Sequence, residues 1–375
     1  MWKHLLYLII AIPALFACQN AQHVNNSQEG DTLKLKYAEN LTIVKRGRAT
    51  VVTLVDPWDK TRQLAKYVLV KRTDSANVGS LPEGNVIYTP VRQCIVSTSP
   101  HARLFHDLGA MEYVKGVCDS RYMNIPAVRS GIANGSIVDC GNAMSPSIER
   151  IAAVSPQAIF ISPMDNGDYG KMAKIGVPLI FCAEYMERSA LARAEWMKFY
   201  GMLFDCYERS ASIFRSVDST YMALRKKASE SKVVKSVFTE RKTGDVWYCP
   251  GGESSMGALL KDANCKYVFG SDKSSGSLPL SAETVISKAA NADIWLFVYN
   301  GSKQVSRSEL LSEYKGYALL KAFKKGDIYE CNAMSRPYFE EISFYPDRLL
   351  ADLVQILHPD IKMPGGLRYY ERLNP

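Results

Sequence analysis

The chain has 375 residues, 47% of them hydrophobic and 22% charged, and a formal net charge of +8. That length exceeds one ordinary core and predicts two domains, while the apolar share excludes extensive disorder. The positive balance favours anionic partners, but Lys and Arg are scattered and no nucleic-acid-binding motif occurs, so DNA and RNA are not expected partners.

Lys3 and His4 precede an apolar run from Leu5 to Ala17, too short to cross a membrane and suited to a signal peptide. The run ends in Leu15, Ala17 and Cys18, which resembles the lipobox of bacterial lipoproteins. The resemblance implies a lipoprotein signal segment over residues 1–18 that is cut just before Cys18, which becomes the lipidated first residue of the mature protein. Residues 19–32 are polar without apolar period and read as a flexible tether. Gln19 and Asn20 carry no acid, which favours a periplasm-facing anchor over surface display, with inner or outer membrane left open. Eight further cysteines, from Cys94 to Cys331, permit disulfides in an oxidising compartment, yet their spacing assigns none and no CxxC is present.

Residues 33–90 alternate as β-runs bounded by Gly47, Pro57 and Gly79, a β-rich extension expected to lie on the first lobe. Residues 91–187 then repeat a strand-helix cadence: Cys94 to Ser97, a helix near His101 to Leu108, Val114 to Val117, a Ser-capped helix ending before Pro156, and the buried run AIFIS. From Arg188 to Ser231 the sequence holds no Pro, one Gly (Gly201) and apolar residues at helical spacing. This predicts a helical connector, continuous or in two pieces meeting near Asp205, long enough to span a small domain. Residues 232–375 resume the strand-helix grammar and close on a helix stopped by Pro359. The fold class is thus α/β: two lobes, each a mainly parallel sheet with flanking helices, joined by a long rigid helix and preceded by a β-rich extension.

The paired segments PSIERIAAVSPQAIFIS and LSAETVISKAANADIWLF resemble the helix-strand repeats of periplasmic binding proteins that serve ABC importers for ferric siderophores, haem and cobalamin. Supporting pieces follow in order from Val91 to Asp360, including KIGVPLIF, GALLKDANCKYVFG and YALLKAFKKGDIYE. The resemblance implies a non-enzymatic, monomeric receptor without a cofactor, which carries an iron chelate between its lobes and docks on an inner-membrane permease. Family members dock through one surface Glu per lobe, and the matching positions are Glu149 and Glu283. A carboxylate near a helix start is also favoured by the helix dipole, so each Glu has an ordinary structural reason to be there.

By the same resemblance the ligand lies against the loops that follow the strands. Candidate ligand residues on those loops are Arg103, Tyr122, Tyr169, Arg241, Trp247, Tyr248, Tyr299, Arg336 and Tyr338. Arginine forks and aromatic faces suit an anionic ferric chelate. Haem would need an axial group, for which His101 is the candidate. Ala143 and Ser277 stand where cobalamin binders carry indoles, leaving Trp247 as a substitute. A His-rich site for a bare metal cannot be built from His23, His101, His106 and His358. GGESSMG fails the G-x-S-x-G spacing at Met256, and neither H-E-x-x-H nor a P-loop occurs, so catalysis is not expected. A surface lipoprotein handing its ligand to an outer-membrane transporter is the remaining alternative.

Overall fold

The computed structural model describes residues 30–77, 79–165, 167 and 169–374. The signal peptide, Cys18 and nearly all of the tether lie outside the described residues. The eight cysteines from Cys94 onward are free thiols, six of them buried.

The first lobe is a five-stranded parallel sheet in the order Leu179–Phe181, Ala158–Ile161, Cys94–Val96, Val114–Val117, Val138–Asp139. Ala158–Ile161 and Cys94–Val96 are buried at every position, as unbroken apolar runs must be when helices cover both faces. The strand order reverses between these two, which opens a crevice beyond their carboxyl ends at Ser97 and Ser162. In the second lobe the order is Lys266–Tyr267, Ser236–Thr239, Ile294–Tyr299, Ile328–Asn332, Glu371–Arg372, and only the last strand is antiparallel. The predicted strand DVWYCPG joins a separate antiparallel sheet instead, with Val246–Pro250 between Lys242–Thr243 and Ser277–Leu280.

The extension is a sheet of Asp31–Thr32, Leu41–Arg46, Ala49–Val55, Gln63–Lys71 and Asn85–Thr89. Its Tyr67 hydroxyl donates to Leu179 O and accepts from Phe181 N, both at 2.9 Å. Those are groups on the outer strand of the first lobe, so the extension closes an edge that would otherwise be free to pair. It reaches further than the first lobe, however. The amides of Lys36, Tyr37 and Ala38 donate to the Glu195 carboxylate at 2.7–3.0 Å, joined by Lys198 Nζ at 2.7 Å. Glu187 accepts from Glu39 N, Asn40 N and the Trp196 indole.

Glu187 and Glu195 flank the connector's beginning. The connector consists of Ala190–Glu195, Met197–Leu203 and the 24-residue helix Tyr207–Glu230. The break falls at Asp205, whose φ of 55° is left-handed. At that corner a Cβ on Gly201 would stand 2.2 Å from Ser210 Oγ, so only glycine lets the two helices meet. The long helix buries Phe214, Val217, Tyr221, Leu224 and Ala228. It is not a bare rod holding two halves apart. Phe105 and Phe160 of the first lobe, Trp196 to Phe204 of the connector, and Leu260, Leu350 and Leu353 of the second lobe belong to one continuous apolar core. Separation of the lobes is confined to the side where the strands end.

On that side polar ties also cross. Tyr345 donates to Asp107 at 2.7 Å, and Arg103 lies 3.6 Å from the buried Glu341, which Arg368 also grips through two nitrogens at 2.6 Å. Asn124 donates through its amide to Glu340 and through its side chain to Met334 O. The lobes are therefore braced by ion pairs and by shared core.

Burial alone would raise the Glu195 carboxyl, but Lys198 and the amides of residues 36–38 more than offset it and hold the group below its ordinary value. Its stabilisation is complete above the ordinary carboxylate range and is lost as acid carries the solution down through the folded value. Glu195→Ala should lower the unfolding free energy at pH 7 by about 3 kcal/mol, as for one partner of a buried pair. Urea titrations at pH 7 and pH 3 check this: the gap between variant and wild type should be large at the first and shrink at the second.

Candidate functional site

The crevice of the first lobe is a chamber of about 500 Å³ lined by Ser97, Thr98, Asp119, Met144, Met164 and Tyr169 among others. It adjoins a 350 Å³ space shared by both lobes, where Thr98, Asp119 and Tyr122 face Phe339 and Ser343. A third recess of 220 Å³ sets Tyr122 against Met334, Arg336 and Phe339. Because Ser97, Thr98 and Asp119 line the first two spaces, and Tyr122 and Phe339 the last two, these form one composite cleft. The second lobe adds a separate 240 Å³ chamber lined by Glu240, Arg241, Thr243, Tyr248, Pro250 and Ser277.

Local folding explains how these side chains are presented. Gly141–Asn142 and Ser145–Pro146 form a hairpin whose turn is Ala143 and Met144. Asp119, itself at φ 50°, accepts from Ala143 N and the Asn142 amide, and Asp139 accepts from Gly141 N at 2.9 Å. Met144 is 75% exposed at the tip of this fixed finger. In the second lobe Asn332 is the organiser. Its Oδ1 accepts from Gly301 N and Met334 N, and its Nδ2 donates to Gly301 O, which ties the loops after two neighbouring strands together. Tyr122 carries Arg121 over its ring at 4.5 Å, and Tyr169 accepts from Met164 N while packing on Phe181.

Of the ligand residues expected from sequence, Tyr122, Tyr169 and Arg336 line the composite cleft, and Arg241 and Tyr248 line the second-lobe chamber. Arg241 is already paired to Glu313 at 2.9 Å and stacked over Tyr299, and Arg336 sits 3.5 Å from Glu371. Tyr299 is itself buried behind Arg241, its hydroxyl donating to Lys303 O and accepting from Val305 N. Three residues lie elsewhere. Trp247 is fully buried against Phe238, Trp295 and Tyr317, because it occupies the inward position of an alternating strand. Tyr338 is buried against Tyr369 and Tyr370. Arg103 is committed to Asp107 and Glu341. His101, considered as an axial group, is 1% exposed, bonded to Thr98 and edge-on to Tyr200 and Phe344, so it faces the core. The cleft also presents Met144, Met164 and Met334, on loops expected to line it though not singled out as ligand contacts, and Phe339, which was not expected. An apolar residue standing alone in a turn-forming run such as GNAMSP was the available signal.

The chemistry on offer is packing with few charges. Among the described residues, the charged ones that line the first-lobe chamber are Asp119 and Lys171. In the second lobe burial pushes the Glu240 carboxyl up to about 7, against the Val298 amide and Arg241, which pull it down.

Outside the cleft, Glu149 and Glu283 occupy equivalent positions, each two residues beyond a capping serine. Ser147 accepts from Arg150 N and Ser281 from Thr284 N. Both carboxylates are exposed and held below their ordinary values, chiefly by hydrogen bonding to their own amides and then to the capping serines.

Comparison with known proteins places this geometry. Among curated sequences, an uncharacterized lipoprotein of Methanocaldococcus jannaschii is 25% identical over 89% of this chain and 84% of its own length. Among solved structures, a periplasmic heme-binding protein of Pseudomonas aeruginosa shares the fold with a TM-score of 0.60 at 14% identity, covering 76% of this chain and 99% of its own. An ABC-type Fe3+-hydroxamate transport protein of Saccharomonospora viridis gives 0.56 at 17% identity, covering 71% and 93%. Residues 105–334, more than half the chain, match the family model described as periplasmic binding protein. The protein belongs to the periplasmic binding protein family.

Proposed function

We propose that this protein is a lipid-anchored, non-catalytic receptor that holds an iron chelate in the cleft between its lobes and delivers it to an ABC permease. The observation that carries the reading is where apolar surface is left uncovered. Among the described residues eleven large hydrophobic side chains are exposed, and six of them, Tyr122, Met144, Met164, Tyr248, Met334 and Phe339, line the cleft or the second-lobe chamber. Apolar groups gathered in the cleft and the second-lobe chamber, on a braced frame, form a binding surface. The solved relatives named for heme and for Fe3+-hydroxamate transport supply the chemical class.

The wall revises the expected charge of the cargo. With Arg103 and Arg241 engaged and one acid and one base among the described residues of the first-lobe wall, the site favours a chelate of small net charge on that face. A ferric hydroxamate meets that description better than a highly anionic catecholate. Anchoring at Cys18 is supported by the lipobox-like run and by the lipoprotein relative. No helix among the described residues is long and apolar enough to cross a membrane.

Quenching of intrinsic fluorescence by a ferric hydroxamate, a ferric catecholate, haemin and cobalamin tests the cleft, and the hydroxamate should bind most tightly. Phe339→Asp should weaken that binding at least tenfold, about 1.4 kcal/mol. Wild-type protein indifferent to all four would refute the reading. Glu149→Ala combined with Glu283→Ala should leave quenching intact and abolish stimulation of permease ATP hydrolysis; stimulation at the wild-type level would remove both residues from docking.

A further inference from the structure

The braces raise a question that the cleft alone does not answer. A receptor whose lobes share a core and are tied at Asn124–Glu340, Tyr345–Asp107 and Arg103–Glu341 has little freedom to close, so closure is a poor signal that cargo is aboard. Another route from cargo to docking surface is built into each lobe.

In the first lobe the Gly141–Pro146 hairpin carries Met144 into the chamber and runs straight into Ser147, the cap of the helix that bears Glu149. Four residues separate the cargo-facing Met144 from Glu149, which bears the docking carboxylate. The two parts are bolted together, since Arg150 Nη1 donates to Asp139 O at 2.8 Å, at the hairpin's base, and Ser147 N donates to Cys140 O at 2.9 Å. The second lobe repeats the plan with different parts. Tyr248, 51% exposed in its chamber, pairs with Pro279 on the strand Ser277–Leu280, which leads directly into the Ser281 cap and Glu283. Lys171, a lining residue of the first chamber, attracts Glu149, and Lys242, on the strand paired with Trp247 but not among the second chamber's lining residues, attracts Glu283.

We propose that cargo lying in the cleft and reaching into the second-lobe chamber is reported to the permease by these two β-arms, each pressing cargo contact at Met144 or Tyr248 into the capped first turn that holds Glu149 or Glu283, without movement of one lobe against the other. The inference rests on the docking reading of the two glutamates. Arg150 is a positioning residue here, since it holds the arm to its helix and touches no cargo.

Hydrogen-exchange mass spectrometry on the full chain, with and without whichever of ferric hydroxamate, haemin or cobalamin quenches its fluorescence, tests the proposal. Bound probe should slow exchange several-fold in peptides spanning residues 147–154 and 281–289. In Arg150→Ala quenching should persist while slowing is lost in 147–154 and kept in 281–289, and Arg150→Lys should restore part of it. Quenching without slowed exchange in wild type, or slowing in 147–154 unaltered by Arg150→Ala, would overturn the proposal alone. A wild-type chain that no probe quenches would overturn the receptor reading and this inference with it.

Discussion

A carboxylate taken out of water is tolerable only when its oxygens are fully engaged, and this fold is fastened by carboxylates of that kind. Glu195 collects three backbone amides and a lysine, Glu187 two amides and an indole, and Glu341 the forks of Arg368 with the Tyr369 hydroxyl and Arg348. The first two sets join the extension to the connector, and the third gathers second-lobe groups with Arg103 of the first lobe 3.6 Å away, so together they tie the extension, the connector and both lobes. The apolar core supplies the bulk of the stabilisation and these fasteners fix the register in which its layers meet.

That stiffness decides what the cleft can be. A jaw that swings can hide its apolar lining when empty, whereas a braced one must leave it in water. Met144 and Met334 stand exposed at the cleft, and the hairpin and the Asn332 brackets hold their loops in place. Binding then loses little to rearrangement, since the loops that would otherwise have to be ordered are already fixed.

Much of the architecture could be read from residue order. The unbroken runs CIV and AIFI announce strands covered on both faces, and serines at 147 and 281 announce helix starts. The break near Asp205 was visible as one of two alternatives. Site residues were harder because direction within a short element has no sequence signal of its own. Tyr338 and Phe339 are neighbours in a single helical turn, and which one turns to the cleft is settled by Tyr369 and Tyr370, thirty residues later. Trp247 could have been set aside by period-two alternation in VWYCP. The partners of Glu187 and Glu195 could not have been guessed, as they are main-chain amides some 150 residues upstream.

The Tyr67 clasp on the first lobe's outer strand bears on self-association. An uncovered strand border is a template for pairing with a neighbouring molecule. With its exposed amide and carbonyl at Phe181 and Leu179 already satisfied by a phenol, that border offers nothing to a second molecule. The added sheet thus shields this one border of the first lobe from pairing with a second copy.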